Sequence, residues 1–249
     1  MTTAKEVAAD VPQTARSASA PPPWWRRIWI VLFAAYCVGF AVYGGYRYVT
    51  LDPEQSRVPI RPDIALHHPL LTVHVLTGVV AVLLAWTQVW PWLRNNHPRV
   101  HRRVGWVYYL AGVIPSGLLA FPVAVLTPAG QGIRAALLAM SALWAATTVL
   151  GLLAAVQHRY EDHRRWMLRN VALSTTIATS RIVGRLGVEV TDWLLPETYA
   201  DKQRLVFEEM NAAGLWAALA LHLLFVEWYL LRPRRRRRPA TRAVAAGGA

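Results

Sequence analysis

Four ionisable side chains of this 249-residue chain fall inside long apolar stretches: His74, Arg181, Arg185 and His222, with Glu227 nearer the end of the last stretch. An ionisable group inside a bilayer costs free energy that packing does not require, so each is a functional candidate. Ser174, Arg181, Arg185 and Glu189 recur at helical spacing and share one face. Such a face suits an anion, whether a haem propionate, a quinone oxygen or a lipid phosphate. The plain structural alternative is an Arg185–Glu189 pair with Arg181 satisfied by neighbouring carbonyls.

Depth sorts these groups. At 1.5 Å per residue, His74 and Arg185 each lie about 7–8 Å inside the outer ends of their stretches, so the two can share an outer pocket. His222 lies about 16 Å in, which disfavours a planar haem held between His74 and His222. At the opposite face His101-Arg102-Arg103 and His163-Arg164-Arg165 each open a stretch at equal depth, which makes His101 and His163 the better-levelled pair for a cofactor or metal. An HRR boundary is also what topology alone produces. His67, His68, His97 and His158 border the surfaces, and none stands three or four residues from His74 as a chelating partner.

Those residues need helices to position them. The chain is 55% hydrophobic and only 16% charged, against roughly 25% charged in soluble domains. A spanning helix needs about 20 mostly apolar residues. Five runs qualify plainly: 28–46, 69–92, 104–126, 135–156 and 211–231. A sixth, 171–190, carries Arg181 and Arg185. Two central arginines cost about 5–7 kcal/mol on the insertion scale, and its eight Leu, Ile and Val residues return about 2–5 kcal/mol, so this helix should not face lipid alone.

Charge decides the count. With six spans, 19 of the 27 basic residues, including Arg26, Arg27 and the run Arg234–Arg238, fall on one side, and only 6 on the other. The positive-inside rule then makes both termini cytoplasmic. The expected fold is an all-α polytopic bundle of six transmembrane helices over 24–231. A disordered, Pro-rich cytoplasmic leader over 1–23 precedes it, and a basic cytoplasmic tail over 232–249 follows. The tail reads as a topology signal that attracts anionic lipid headgroups, not as a nucleic-acid patch. The acidic stretch from Thr191 to Met210 reads as a solvated connector or a short amphipathic helix. Gly112, Pro115, Gly117 and Pro122 should kink the third span. Cys37, the single cysteine, lies in an apolar run, so no internal disulfide forms.

These stretches carry a resemblance. His74-Val-Leu-Thr-Gly78, Gln88, His101-Arg-Arg-Val-Gly105-Trp-Val-Tyr108, His163-Arg-Arg-Trp166-Met167-Leu-Arg169 and Arg181 resemble the bacterial membrane-protein family known as domain of unknown function 2306, over roughly Leu66 to Val190. Where that family commonly has a Gly before the Gln, this chain has Ala85-Trp86-Thr87. The resemblance implies a multi-pass protein of the bacterial plasma (inner) membrane and no defined activity. A looser similarity, to b-type cytochrome membrane reductases, implies haem b, with His74, His101 and His163 as candidate iron ligands and Arg185 beside a propionate. It stops short of four histidines in two level pairs.

Three functions fit these readings. One is a haem- or quinone-linked redox protein with candidate cofactor residues His74, His101, His163, Arg181 and Arg185. Another is a small transporter or lipid-binding protein that uses the buried Arg face. The third is a structural or regulatory membrane subunit without catalysis.

Overall fold

The computed structural model describes residues 25–198 and 201–232, so the expected leader over 1–23 and the run Arg234–Arg238 lie outside the described residues. Within them every regular element is a helix: α1 (Trp25–Gly45), α2 (His67–Val89), α3 (Pro91–Asn96), α4 (Pro98–Val107), α5 (Ile114–Leu126), α6 (Gly130–Val156), α7 (Tyr160–Leu194) and α8 (Gln203–Leu231). A π-helical turn, Tyr108–Val113, joins α4 to α5, so Pro98–Leu126 is one continuous rod. Five helical segments are long and apolar enough to cross a membrane: Ile28–Gly45, His67–Val89, Pro98–Leu126, Gly130–Val156 and Gln203–Leu231.

Helices outrun their apolar windows because extending a formed helix satisfies one more backbone pair per residue. The third rod therefore starts at Pro98, where a proline at the first helical position lacks only an N–H that would be orphaned anyway. Likewise the connector expected over 191–210 is mostly helix, with α7 running to Leu194 and α8 beginning at Gln203. The third rod, for which the sequence predicts a kink, contains the π turn, which carries Gly112 and ends four residues before Gly117. A Cβ on Gly112 would come within 2.9 Å of the Ala81 backbone, so glycine is what lets α2 and this rod touch.

Turns are short. Between α6 and α7 the Arg159 N–H donates to Ala154 O at 2.9 Å and the His158 N–H to Ala155 O at 3.1 Å, with His158 at φ 59°. That is a Schellman C-cap with histidine in the left-handed position glycine usually fills.

The sixth stretch, with its two arginines, forms the inner helix. Through 35 residues α7 packs against α6, α8 and α2, and most of its buried positions are small or polar, Asn170, Ser174, Thr175, Thr176, Ala178, Ser180 and Gly184, beside the apolar Met167, Val171 and Leu173. It crosses α8 at a glycine pair, where a Cβ on Gly214 would fall 2.6 Å from Gly184 N. On one side of that crossing polar links tie the two helices. The Arg169 guanidinium donates to both Glu227 oxygens at 2.6 and 2.8 Å, and His222 donates from Nδ1 to Ala172 O at 2.7 Å. Thr179 Oγ1 lies 2.9 Å from His222 Nε2 and 2.8 Å from the Tyr36 hydroxyl, so α1, α7 and α8 meet on one threonine.

Candidate functional site

The half of the bundle that carries the 46–66 loop encloses a cavity of about 610 Å³, walled by α1, α2, α5, α6, α7, α8 and that loop. That volume falls in the usual range for a small-molecule site. Apolar side chains make most of the wall: Phe40, Val79, Val82, Leu137, Met140, Leu173 and Ile177. Polar groups enter at three places, His74, the arginines and the floor.

His74 lies on α2, one turn before Gly78. Its Nδ1 is 2.9 Å from Ser116 O and 3.2 Å from Ser116 Oγ, and Ser116 Oγ in turn donates to His74 O at 3.0 Å. A carbonyl only accepts, so Nδ1 carries a proton, and no hydrogen bond to a described residue engages Nε2 of this cavity-lining ring. Gly78 makes the arrangement possible, since a Cβ there would stand 3.1 Å from Ser116 Oγ.

Four arginines line the cavity, Arg47, Arg57, Arg181 and Arg185, with no Asp or Glu among its lining residues. Their circumstances differ. Arg185 is ion-paired to Glu189, one turn on. Arg47 donates from Nε to the Tyr46 hydroxyl at 2.9 Å. Arg57 lies over the Tyr43 ring at 3.9 Å and donates from Nη2 to Tyr46 at 3.2 Å, while its Nε is buried without a partner among the described residues. Arg181 makes no hydrogen bond or ion pair with any described residue. Half of the structural alternative is therefore present, the Arg185–Glu189 pair, but carbonyls do not satisfy Arg181.

The loop that brings Arg57 in is itself anchored. The Arg61 N–H donates to His67 Nδ1 at 2.9 Å, and His67 is only 2% exposed at the first position of α2. Arg61 also pairs with Asp63 at 2.9 Å and holds that carboxyl below the usual carboxylate range. On the floor, Ser174 Oγ accepts from Trp144 Nε1 at 2.9 Å, and the Tyr108 hydroxyl donates to Asn170 Oδ1 at 2.7 Å. Asn170 spends its amide on Thr147 and Thr148, at 3.2 and 2.9 Å. This network satisfies its members and closes the cavity toward the other half.

The structure thus brings His74, Arg181 and Arg185 to one cavity and places His101 and His163 at the opposite end of the bundle, near each other. His163 donates from Nδ1 to Gly151 O at 2.8 Å, whereas His101 Nδ1 is buried without a partner among the described residues. Among the described residues no group of three or more His, Cys, Asp or Glu could hold a metal ion. His222, with both ring nitrogens bonded to α7, does not line the cavity. Sequence reasoning missed Arg57 and Ser116. The loop arginines counted only as topology charge, and the signal for Ser116 was the small residue four positions after His74.

The quoted motifs now have physical reasons. Gly105 leaves room for Gln88, whose Oε1 would sit 3.1 Å from a Cβ there. Ala85, where the resemblance leads one to expect glycine nearby, is fully buried, so the packing is close without it. The family model described as Predicted membrane protein (DUF2306) matches residues 71–231. No curated protein and no solved structure matches the chain. The match takes in well over half of the chain, together with His74, His101, His163, Arg181 and Arg185, and the chain therefore belongs to this family of membrane proteins, DUF2306.

Proposed function

We propose that the chain is a six-span protein of the bacterial plasma membrane, with both ends cytoplasmic, that binds a ligand with an anionic head and an apolar body in its outward cavity. One observation carries this reading: Arg181, free of any described partner, faces a cavity walled by arginines and apolar side chains and lacking carboxylates. Exposed into the cavity with its donors unspent, that guanidinium is a ready partner for an anion. The helix carrying it packs among the apolar helices as a sixth span would, and the cytoplasmic placement of the ends rests on the surplus of Arg and Lys on their side. Arg94, Arg99, Arg102, Arg103, Arg164 and Arg165 on that side suit anionic lipid headgroups. Nucleic acid has no part in this reading. The 1–23 leader and the tail after 231 are proposed as cytoplasmic extensions of the 24–231 bundle.

The test is extraction of the purified protein and mass analysis of what leaves with it. An anionic amphiphile close to one per chain, lost in Arg181→Gln, is expected. A wild-type protein that carries none and binds no added anion would sink the reading.

A second reading, haem b as the occupant, is favoured by the carbonyl-held His74, since such a hydrogen bond is what orients a ligating imidazole and raises its basicity. In it Arg181 and Arg185 lie toward the propionates, while His101 and His163 stand as candidate ligands of a separate inner site. A Soret band in protein from haem-replete cells, lost in His74→Ala, is its expected sign. A colourless folded preparation removes it.

A further inference from the structure

We infer that the cavity head site is a two-arginine clamp, Arg57 from the loop and Arg181 from α7, built for a phosphate monoester on a hydrocarbon chain. The inference rests on the anionic-ligand reading above and adds which anion and which residues. Of the four arginines only Arg185 has its charge met by a carboxylate, that of Glu189, while Arg47 and Arg57 both donate to the neutral Tyr46 hydroxyl. Arg57, from the loop, and Arg181, from α7, line the same cavity, with no acid on its wall to offset their charges. A lone carboxylate neutralises one of them. A phosphate monoester carries about −1.5 to −2 and three acceptor oxygens, which matches two guanidinium forks.

Geometry orients the rest of the molecule. Both guanidinium groups belong to the loop-side end of the cavity, since Arg57 lies on the loop and Arg181 stands two turns nearer that end than Ser174 of the floor. Below them the wall is Val79, Val82, Leu173 and Ile177, which accepts a chain and offers it no hydrogen bond. Arg57 sits on a loop tied to α1 by its stacking on Tyr43 and to α2 by the Arg61–His67 hydrogen bond, so the bundle itself fixes the clamp's outer residue.

The experiment uses the full chain in phosphatidylcholine nanodiscs at pH 8, titrated by calorimetry with decyl phosphate, its monoanionic methyl diester, decanoate and inorganic phosphate. Decyl phosphate should bind at least about tenfold tighter than the diester or decanoate, a difference of about 1.4 kcal/mol. Inorganic phosphate should bind far more weakly still. Arg57→Gln, a loop substitution, should erase the preference for the monoester and keep diester binding. Arg181→Gln should lose both. Equal affinity for monoester and diester overturns the clamp while the anionic cavity stands. Inorganic phosphate binding as tightly as decyl phosphate overturns the chain-bearing ligand. Failure of all four to bind removes the clamp together with the reading it rests on.

Discussion

Two histidines inside the bundle show how hydrogen-bond accounting separates a binding group from a brace. His222 spends both ring nitrogens on α7, through Ala172 O, Thr176 and Thr179, and so has nothing left for a ligand. His74 spends one, on Ser116, and no described residue engages the other on this cavity-lining ring. Replacing His222 by Ala strands the Ala172 and Thr179 groups and opens a void, so it should cost about 2–3 kcal/mol while ligand affinity stays unchanged. His74→Ala should do the reverse, with ligand affinity down about tenfold and only a small loss of stability, because Ser116 Oγ still bonds to the backbone at position 74. Thermal unfolding in mild detergent paired with ligand titration reads both; an affinity loss in His222→Ala at unchanged melting temperature would contradict the assignment. The sequence singled out both residues by their place in apolar stretches. It could not tell them apart, because the deciding partners lie 42 and 50 residues away in the chain.

Among the helices, α7 and α8 form the pair on which the rest depends. Their contact is set by backbone approach, since a Cβ on Gly214 would stand 2.6 Å from Gly184 N and 2.7 Å from Gly184 Cα. Neither helix can yield there without disturbing Ser180, whose carbonyl lies 3.1 Å from the same point. Gly214→Ala should therefore destabilise by about 1–3 kcal/mol or more, with Gly39→Ala, which meets nothing within 4 Å, as the neutral control. Equal melting temperatures for the two variants would refute the contact. At the far end of the pair, Arg169→Gln leaves Glu227 without its bidentate partner; both side chains are partly exposed, so the expected cost is about 1–2 kcal/mol. The turn into α7 offers the opposite sign. His158 occupies a left-handed position that costs a non-glycine residue about 1 kcal/mol, and His158→Gly should raise the melting temperature. Helix existence was legible from apolar run length, and Gly112 and the prolines marked the irregular rod. The Gly184–Gly214 crossing was not, because a glycine in a helix becomes a contact only once its partner helix is known.

For the molecule as a whole, the arrangement turns on a helix that hydropathy passes over. Length and composition select five crossing helices and leave out α7, whose hydroxyls and arginines lower its apolar content. Those hydroxyls are buried against α6, α8 and the π turn, and Arg181 and Arg185 point to the cavity, so α7 does not depend on lipid for its solvation. A helix packed on its neighbours needs partners for its buried polar groups more than an apolar surface, and α7 finds them in Trp144, Tyr108 and His222. The proposed six-span topology is testable through the connectors. Cys37 is fully buried, so a membrane-impermeant maleimide should leave the wild-type chain unlabelled in intact spheroplasts. Against that background Gln55→Cys and Asp201→Cys should both label from outside, and Asn96→Cys only after permeabilisation. The informative position is Asp201, which follows α7: if it labels together with Asn96 and not with Gln55, α7 does not cross, the two ends of the bundle lie on opposite sides, and the placement of Arg181 in an outward cavity falls with the topology.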